Sequence, residues 1–217
     1  MQAMILAAGR GSRLDPITRN RPKPMVQVQG RSLIDYHLQA MAIAQIRQVV
    51  VNLHYHADLL REHVSQRAQH YDLDVQFSYE PRVLETAGGI NRALPLLEDP
   101  FIVCNADIFT DYPLTQLRLS DNDAHLVLVP PPVVDGASES VGDFGLQQQQ
   151  VTNQPQYTFA GIGCYRKALF ADLADAPAPL APLLRQAIQQ ERVTGELYTG
   201  QWYDVGTHAV LEQLNGG

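Results

Sequence analysis

The stretch Ala3-Met-Ile-Leu-Ala-Ala-Gly9-Arg-Gly-Ser-Arg13-Leu, with Arg21-Pro-Lys23-Pro shortly after it, predicts both the fold and the place of the functional site. Residues 3–7 are apolar and typical of a buried strand. A turn with two glycines and an arginine follows that strand at once, and open α/β sheets bind ligands at the carboxyl ends of their strands. The stretch therefore predicts an α/β fold with a phosphate-binding turn after its first strand.

The composition favours a globular protein that binds a small anionic ligand. The chain has 217 residues, of which 45% are apolar, and a formal net charge of −7. Because nucleic-acid binders usually present a basic face, we expect no nucleic-acid partner. The apolar opening is too short for a signal peptide and no apolar run reaches the length of a membrane span, so we expect no membrane partner. Cys104 and Cys164 lie in apolar runs and indicate core thiols in a reducing, cytoplasmic compartment.

The first half of the chain alternates between two kinds of segment. Strands are predicted at residues 3–7, 49–53, 75–79 and 101–104, and helices at residues 33–44, 58–68 and 88–97. This alternation is typical of a parallel sheet that is covered by helices on both faces.

The second half of the chain is less regular. Strands are predicted at residues 125–129, 157–165 and 201–205, and helices at residues 180–190 and 207–214. The polar segment 133–153, which contains the glutamine run Gln147–Gln150, is interpreted as a flap or hairpin over the site. The role of that glutamine run does not follow from the sequence.

The glycine turn matches neither of the two common nucleotide-binding motifs. The dinucleotide fingerprint would need a third glycine where this chain has Leu14, and the P-loop ending is absent. Gly9 and Gly11 let the backbone approach an anion closely, although a plain tight turn would also explain them. Prolines fix the backbone on both sides of Lys23, so this lysine loses little freedom on reaching a phosphate; the alternative is a solvated surface residue.

Two aspartates lie at the ends of predicted strands. Asp107 follows residues 101–104, and Asp204 interrupts the apolar segment 201–205. Magnesium is typically held by one or two carboxylates together with substrate phosphates and water. Each aspartate by itself is also explained by an ordinary turn.

Together these motifs resemble the sugar-1-phosphate nucleotidylyltransferases. The segments LAAGRGSRL and RPKP match the family signature, and LETAGGI (84–90), Asn105-x-Asp107, GDF (142–144) and WYDVGT (202–207) follow in the family's order. The resemblance implies a three-layer Rossmann-like α/β fold with a mainly parallel mixed central sheet. It implies one domain, 1–217, in which residues 1–110 bind the nucleotide and residues 111–217 bind the sugar phosphate.

The same resemblance implies the reaction and its participants. UTP and a sugar 1-phosphate are the expected substrates, Mg²⁺ is the expected cofactor, and the lack of a trailing β-helix favours a monomer. Two alternatives stay open: a guanylyl- or thymidylyltransferase acting on mannose or glucose 1-phosphate, and a non-catalytic nucleotide-binding regulator.

The resemblance also assigns roles to residues of this chain. Arg13, Lys23 and Asp107 are the implied catalytic residues, and Asp107 and Asp204 the implied metal ligands. The implied nucleotide-binding residues are Ala8, Gly9, Gly11, Ser12, Arg13, Lys23, Thr86 and Gly88. The implied sugar-phosphate-binding residues are Asn105, Asp143, Glu196 and Asp204. Thr86 could cap the helix 88–97, either alone or together with a role in base recognition, and Asp143 could be a plain loop residue.

Overall fold

The computed structural model describes residues 1–134, 138–139 and 142–216. In chain order its strands are β1 (Gln2–Leu6), β2 (Gln27–Val28), β3 (Arg31–Ser32), β4 (Gln48–Leu53), β5 (Asp74–Tyr79), β6 (Phe101–Asn105), β7 (Ile108–Thr110), β8 (Ala124–Val129), β9 (Val133–Val134), β10 (Ser138–Glu139), β11 (Phe144–Gln147), β12 (Gln150–Tyr165), β13 (Val193–Leu197) and β14 (Trp202–Asp204). The α-helices are α1 (Leu33–Ile43), α2 (Ala57–Tyr71), α3 (Glu85–Ala93), α4 (Leu180–Gln189) and α5 (His208–Gly216).

A mixed sheet forms the centre of the described part of the chain. Its strand order is β13-β8-β12-β6-β1-β4-β5, and β11 pairs with β12 beside this path. The pairings β6–β1, β1–β4, β4–β5 and β13–β8 are parallel, whereas β12 runs antiparallel to β6 and β8. The predicted α/β fold with a mainly parallel mixed sheet is confirmed.

The helices cover the sheet on both faces. On one face α1 and α2 bury apolar side chains such as Leu38 and Leu60 against the strands. On the other face α3 and α4 bury Ile90 and Leu184 in a second cluster. The sheet therefore lies between two helical layers, because each of its faces presents apolar side chains that must be covered.

The strand order places a crevice beside β1. From β1 the chain builds outward through β4 and β5, and it then returns to place β6 on the other side of β1. Ligands of open α/β sheets bind at such a reversal, outside the carboxyl ends of the strands. The segments that follow β1 and β6 therefore meet at one edge of the sheet.

A third apolar cluster joins the two ends of the chain at this edge. Leu14 of the opening turn and Val26 of the following segment pack with Val205 and Leu211 near the C-terminus. In addition, β14 pairs antiparallel with β7, which puts Asp204 opposite Ile108. These contacts bring a residue from the end of the chain next to the strand end that carries Asp107.

The predicted helix at 88–97 begins three residues earlier than expected. It is α3, which starts at Glu85 and is followed by a 3₁₀ turn over Leu94–Leu96. Leu84 holds the N-cap position and makes no side-chain capping hydrogen bond, so Thr86 lies inside the first helical turn. The alternative interpretation of Thr86 as a helix cap is therefore wrong.

The predicted flap lies partly outside the described residues. Residues 135–137 and 140–141 of the segment 133–153 are not described. From Phe144 onward the segment is a hairpin of β11 and β12, in which Gln147 pairs with Gln150 and Gln148 adopts a positive φ of 58°. The two central glutamines, Gln148 and Gln149, thus form the turn of the hairpin, and the two outer ones end its strands.

Among the described residues, no helix is both long and apolar enough to span a membrane.

Candidate active site

The turn after β1 presents unpaired backbone amides. Among the described residues, the N–H groups of Gly9, Arg10 and Gly11 donate to no backbone or side-chain acceptor. Gly11 adopts a left-handed φ of 67°, and the chain then enters a 3₁₀ turn over Ser12–Leu14. Successive amides in such a turn form an anion-binding concavity, so the turn is suited to hold phosphate oxygens.

Lys23 crosses this turn and is buried. A Cβ added at Gly11 would lie 2.8 Å from the Cβ of Lys23, so only glycine leaves room for the lysine stem. The residue is 7% exposed, and the carbonyl of Pro22 accepts the N–H of Met25 in the turn that contains it. The alternative interpretation of Lys23 as a solvated surface residue is therefore wrong.

The ammonium of Lys23 faces both strand-end aspartates. Its Nζ lies 2.6 Å from Oδ2 of Asp107 and 3.8 Å from Oδ1 of Asp204. The two carboxylates come together because β7 and β14 pair, and the N–H of Val205 donates to the carbonyl of Asp107 at 2.9 Å. Two acids that lie 97 residues apart in the chain thus share one cation.

Arg13 adds a second cation at the same edge. A Cβ added at Gly206 would lie 2.9 Å from its Nη2 and 3.1 Å from Oδ1 of Asp204, so the guanidinium passes over this glycine beside the aspartate. Partial burial and the charge of Asp107 raise the pKa of Asp204, while Lys23 and Arg13 act in the opposite direction. The site therefore holds two acids that share the ammonium of Lys23, and a second cation, Arg13, beside Asp204.

These donors fit a divalent ion in combination with a substrate. The carboxylates of Asp107 and Asp204 supply hard oxygen ligands. They lie close together, since the ammonium of Lys23 is within 4 Å of both. In the part of the chain that the structure describes, no group of three or more His, Cys, Asp or Glu side chains could hold a metal ion. A magnesium ion here would need substrate phosphates and water to complete its coordination, which is its usual behaviour in proteins.

Two adjoining cavities lie at this edge of the sheet, and the smaller one reaches the charged cluster. One of about 190 Å³ is lined by Ala8 and Gly9 of the opening turn and reaches Asp107. The other, of about 490 Å³, extends between β11, β12 and α4. Both are lined by Glu85, Thr86 and Asn105, so the three residues form the boundary between them.

A buried hydrogen-bond network joins the opening turn to the segment before α3. Asn52 accepts the N–H of Ala7 at 2.6 Å and donates to Glu80 at 2.7 Å, and Glu80 in turn accepts the N–H of Leu84 at 3.1 Å. Asn52 and Glu80 also line the smaller cavity. Neither residue was predicted from the sequence, although a polar residue inside the apolar strand β4 and an acid after β5 were available signals.

Glu85 is a further residue that the sequence did not single out. It lines both cavities and has a positive φ of 58°, a conformation that costs roughly 1–2 kcal/mol for residues other than glycine. Strain of this kind is typical of functional sites. The signal is conformational, so it could be seen only in the structure.

The structure brings most of the predicted site residues to this edge, with two exceptions. Asp143 lines the larger cavity, and its carboxylate accepts the N–H of Phe159 at 2.9 Å. Gly88 lines neither cavity, since it is buried and donates its N–H to the carbonyl of Ala178 at 3.1 Å. Glu196 lies on the face of the sheet that is opposite to the larger cavity. Its carboxylate accepts a hydrogen bond from the hydroxyl of Tyr112 there.

A serine, a histidine and an aspartate also meet between α1 and α2. Ser32 and Asp35 both contact Nε2 of His63, at 3.1 and 2.8 Å. A nucleophilic triad uses opposite nitrogens of the imidazole, so this cluster does not have that arrangement. Burial alone would raise the pKa of Asp35, but the hydrogen bond and charge of His63 and the charge of Arg67 lower it. The cluster is a polar contact between two helices, in which Asp35 also pairs with Arg67 at 3.1 Å.

Comparisons with known proteins assign this fold and site to a class. Residues 2–133 match the family model described as nucleotidyl transferase. The chain is also 40% identical to the N-acetylmuramate alpha-1-phosphate uridylyltransferase of Neisseria meningitidis serogroup B, over 98% of this chain and 96% of that protein. The chain therefore belongs to the nucleotidyl transferase family.

Two further comparisons agree with this class. A second N-acetylmuramate alpha-1-phosphate uridylyltransferase, from Caulobacter vibrioides, is 33% identical over 94% of this chain and 91% of its own length. A Bacillus anthracis structure, provisionally named a glucose-1-phosphate thymidylyltransferase and solved with sucrose, has a TM-score of 0.81. It is 19% identical, covers 100% of this chain and 94% of its own, and is therefore a likeness of fold.

Proposed function

We propose that this protein transfers UMP from UTP to a sugar 1-phosphate, N-acetylmuramate α-1-phosphate, and releases pyrophosphate. The observation that carries the proposal is the convergence of Lys23, Asp107 and Asp204 beside the smaller of two adjoining cavities, which Asp107 lines. The smaller cavity is bounded by the amide-rich turn and the larger one by residues of the second half. The two cavities thus suit a nucleotide and a sugar that meet at the charged cluster.

The nucleotide is held by the opening turn and its cations. The free amides of residues 9–11 and the start of the following turn at Ser12 bind the β- and γ-phosphates, and Arg13 pairs with their terminal oxygens. Ala8 and Thr86 contact the nucleoside in the smaller cavity. Lys23 stabilises the negative charge that develops on the α-phosphoryl group, and such preorganised charges are commonly the largest contribution to catalysis.

The reaction is an in-line displacement at the α-phosphorus. An ionised phosphate oxygen of the sugar 1-phosphate forms the new P–O bond, and the bond to the β-phosphate breaks, so that pyrophosphate leaves with its electron pair. The attacking oxygen carries no proton at neutral pH, and the chain therefore has no proton to remove. Asp107 and Asp204 would hold Mg²⁺, which when bound supplies charge neutralisation at the α-phosphate. The contribution of the chain is then positioning and charge.

The identity of the sugar rests on the full-length relatives. Both are named for N-acetylmuramate α-1-phosphate, and each is matched over more than nine-tenths of this chain. The larger cavity offers Asn105 and Asp143 for the polar groups of the sugar. Since N-acetylmuramate is a peptidoglycan sugar, we place the reaction in cell-wall recycling. Cys104 and Cys164 are buried free thiols, which supports a reducing cytoplasm, and we propose a monomer as the active species.

The substrate assignment is tested with a panel of nucleotides and sugar phosphates. UTP, GTP and dTTP are each combined with the 1-phosphates of N-acetylmuramate, mannose and glucose, and pyrophosphate release is measured. We expect the highest kcat/KM for UTP with N-acetylmuramate α-1-phosphate. A preference for another pair contradicts the assignment, and binding of UTP without turnover of any sugar phosphate supports the non-catalytic alternative.

The roles of the two acids are tested by a double substitution. Asp107→Asn with Asp204→Asn should abolish magnesium-dependent pyrophosphate release, because the ion loses both charged protein ligands. Asp58→Asn is the control, since Asp58 is an exposed acid on α2 whose side chain is 96% accessible. A fully active double variant would remove the metal site from the proposal.

A further inference from the structure

The larger cavity contains a cation that phosphoryl transfer itself does not require. The charged residues in its lining are Glu85, Asp143 and Arg185. The two acids are suited to accept hydrogen bonds from sugar hydroxyl and amide groups, and they disfavour a second anion nearby. Among the described lining residues, Arg185 is therefore the group that can attract a carboxylate.

Arg185 is held against the wall of the cavity by several contacts. Its Cζ lies 5.2 Å from the centre of the Phe144 ring, and its Nη2 donates to the carbonyl of Asp143 at 3.4 Å. Its own carbonyl accepts the side-chain amide of Asn153 at 3.1 Å. The Phe144 ring and the carbonyl of Asp143 thus favour one orientation of the exposed guanidinium before any ligand arrives, which lowers the entropy that binding would cost.

The charge of Arg185 is also available to a ligand. Some other arginines of the chain pair with acids: Arg67 with Asp35 at 3.1 Å, and Arg92 with Asp175 at 3.5 Å. In the part of the chain that the structure describes, no carboxylate pairs with Arg185 in this way. Arg185 is therefore an exposed cation in the wall of the larger cavity whose charge an anionic group of a ligand can take up.

The sugar of the proposed substrate carries the matching group. N-Acetylmuramate differs from N-acetylglucosamine by a lactyl ether on O3, which ends in a carboxylate. Resting on the proposed function, we propose that Arg185 binds the lactyl carboxylate and thereby selects N-acetylmuramate over N-acetylglucosamine. The planar guanidinium presents paired N–H donors that match a carboxylate. Arg185 is a specificity-determining residue and takes no part in the bond rearrangement.

The proposal is tested with Arg185→Gln and two sugars that differ only in the lactyl group. Pyrophosphate release is measured with UTP and either N-acetylmuramate α-1-phosphate or N-acetylglucosamine α-1-phosphate. We expect kcat/KM for the first sugar to fall about 10- to 100-fold, since a hydrogen bond between charged groups is lost. The value for the second sugar should stay unchanged, because that sugar has no carboxylate.

Two variants and one binding measurement complete the test. Arg185→Lys keeps the charge without the paired donors and should give an intermediate loss. Gln186→Ala is the matched control, because Gln186 is exposed on the same helix and lines neither cavity. Calorimetry with UDP-N-acetylmuramate and UDP-N-acetylglucosamine gives the same discrimination without turnover, and the affinity ratio should fall towards one in Arg185→Gln.

The outcomes separate this proposal from the proposed function. An equal loss for both sugars assigns Arg185 to structure or to a shared part of the ligand and overturns the selectivity role. Unchanged discrimination in both assays also overturns it. A wild-type protein that neither binds nor uses either sugar overturns the proposed function first and this inference with it.

Discussion

The two sides of the crevice are built in different ways. On the side to which we assign the nucleotide, unpaired backbone amides and a buried lysine lie in a segment of tight turns, and the apolar cluster around Leu14 and Val205 holds that segment against the C-terminal helix. On the side to which we assign the sugar, a cavity of about 490 Å³ is lined by side chains such as Phe159, Leu184 and the exposed Arg185. The first side thus consists of backbone groups and a buried charge, whereas the second consists of side chains that can be exchanged without changing the fold.

This difference indicates which part of the site binds the group that all substrates share and which part binds the group that varies. Under the proposed function, the triphosphate is common to every substrate of this type, and groups that cannot easily be exchanged hold it. The sugar varies between relatives, and exchangeable side chains on β11, β12 and α4 surround it. Substitutions on the nucleotide side should therefore lower turnover with every sugar, whereas those on the sugar side should change the preference between sugars.

The strongest way to break the comparison is Lys23→Ala. We expect the activation barrier to rise by about 3–4 kcal/mol, because a charge-stabilising group is removed. Turnover should then fall a few hundred-fold or more, with all sugars alike. Steady-state kinetics with two sugar phosphates measures the effect, and circular dichroism checks that the fold is intact. Near-normal turnover in a folded variant would refute the catalytic role of Lys23.

A substitution that displaces Lys23 without removing it should have a smaller effect. In Gly11→Ala the new methyl group would collide with the lysine stem, and we expect about a tenfold loss of turnover from the misplaced ammonium. Gly30→Ala is the matched control, since Gly30 also has a positive φ, of 77°, but has no atom within 4 Å of an added Cβ.

Both glycine variants should lose roughly 1 kcal/mol in unfolding free energy from the strained backbone, and Gly11→Ala should lose more, because its methyl group also collides with the lysine stem. Only Gly11→Ala should lose turnover. If the two variants have equal activity, contact between Gly11 and Lys23 does not position the lysine.

The smallest expected effect concerns the boundary between the two sides. Glu85→Gly should raise the free energy of unfolding by about 1 kcal/mol, because glycine adopts the positive φ of this position without strain. The same variant should lower kcat/KM, since a carboxylate that lines both cavities is lost. Denaturant unfolding and pyrophosphate release measure the two effects.

Glu191→Gly is the control for this substitution. Glu191 has a φ of 57°, is exposed beyond the end of α4 and lines neither cavity, so its variant should gain stability with no change in turnover. A Glu85→Gly protein of unchanged activity would mean that the strain at Glu85 serves no ligand.

Local sequence patterns predicted the elements well and their exact ends less well. The apolar periodicity of residues 33–44 and the β-branched run of 49–53 predicted α1 and β4 because those patterns report burial on one face or both. The start of α3 was missed by three residues. Glu85 enters that helix with a positive φ, and Glu80, which accepts the N–H of Leu84 at the entry, is itself held by Asn52 on the distant strand β4.

The individual site residues show the same distinction. The turn at Gly9 and Gly11 and the fixed Lys23 could be predicted, since glycine and proline act on the local backbone. The placement of Glu196 could not be predicted, because β13 joins the sheet beside β8 and turns this carboxylate towards Tyr112. Gly88 also lay beyond sequence reasoning, since its partner is the carbonyl of Ala178, about 90 residues away.

The sequence by itself determined the alternation of strands and helices, the amide-rich turn and the types of charged residue available for chemistry. These depend on backbone preferences and side-chain chemistry, which act within a few residues. Only the tertiary structure decided which charges meet: the pairing of β7 with β14 puts two distant aspartates on one lysine, and the hairpin packed near α4 places Arg185 in the cavity wall. Such meetings depend on strand order and packing, which no single segment encodes.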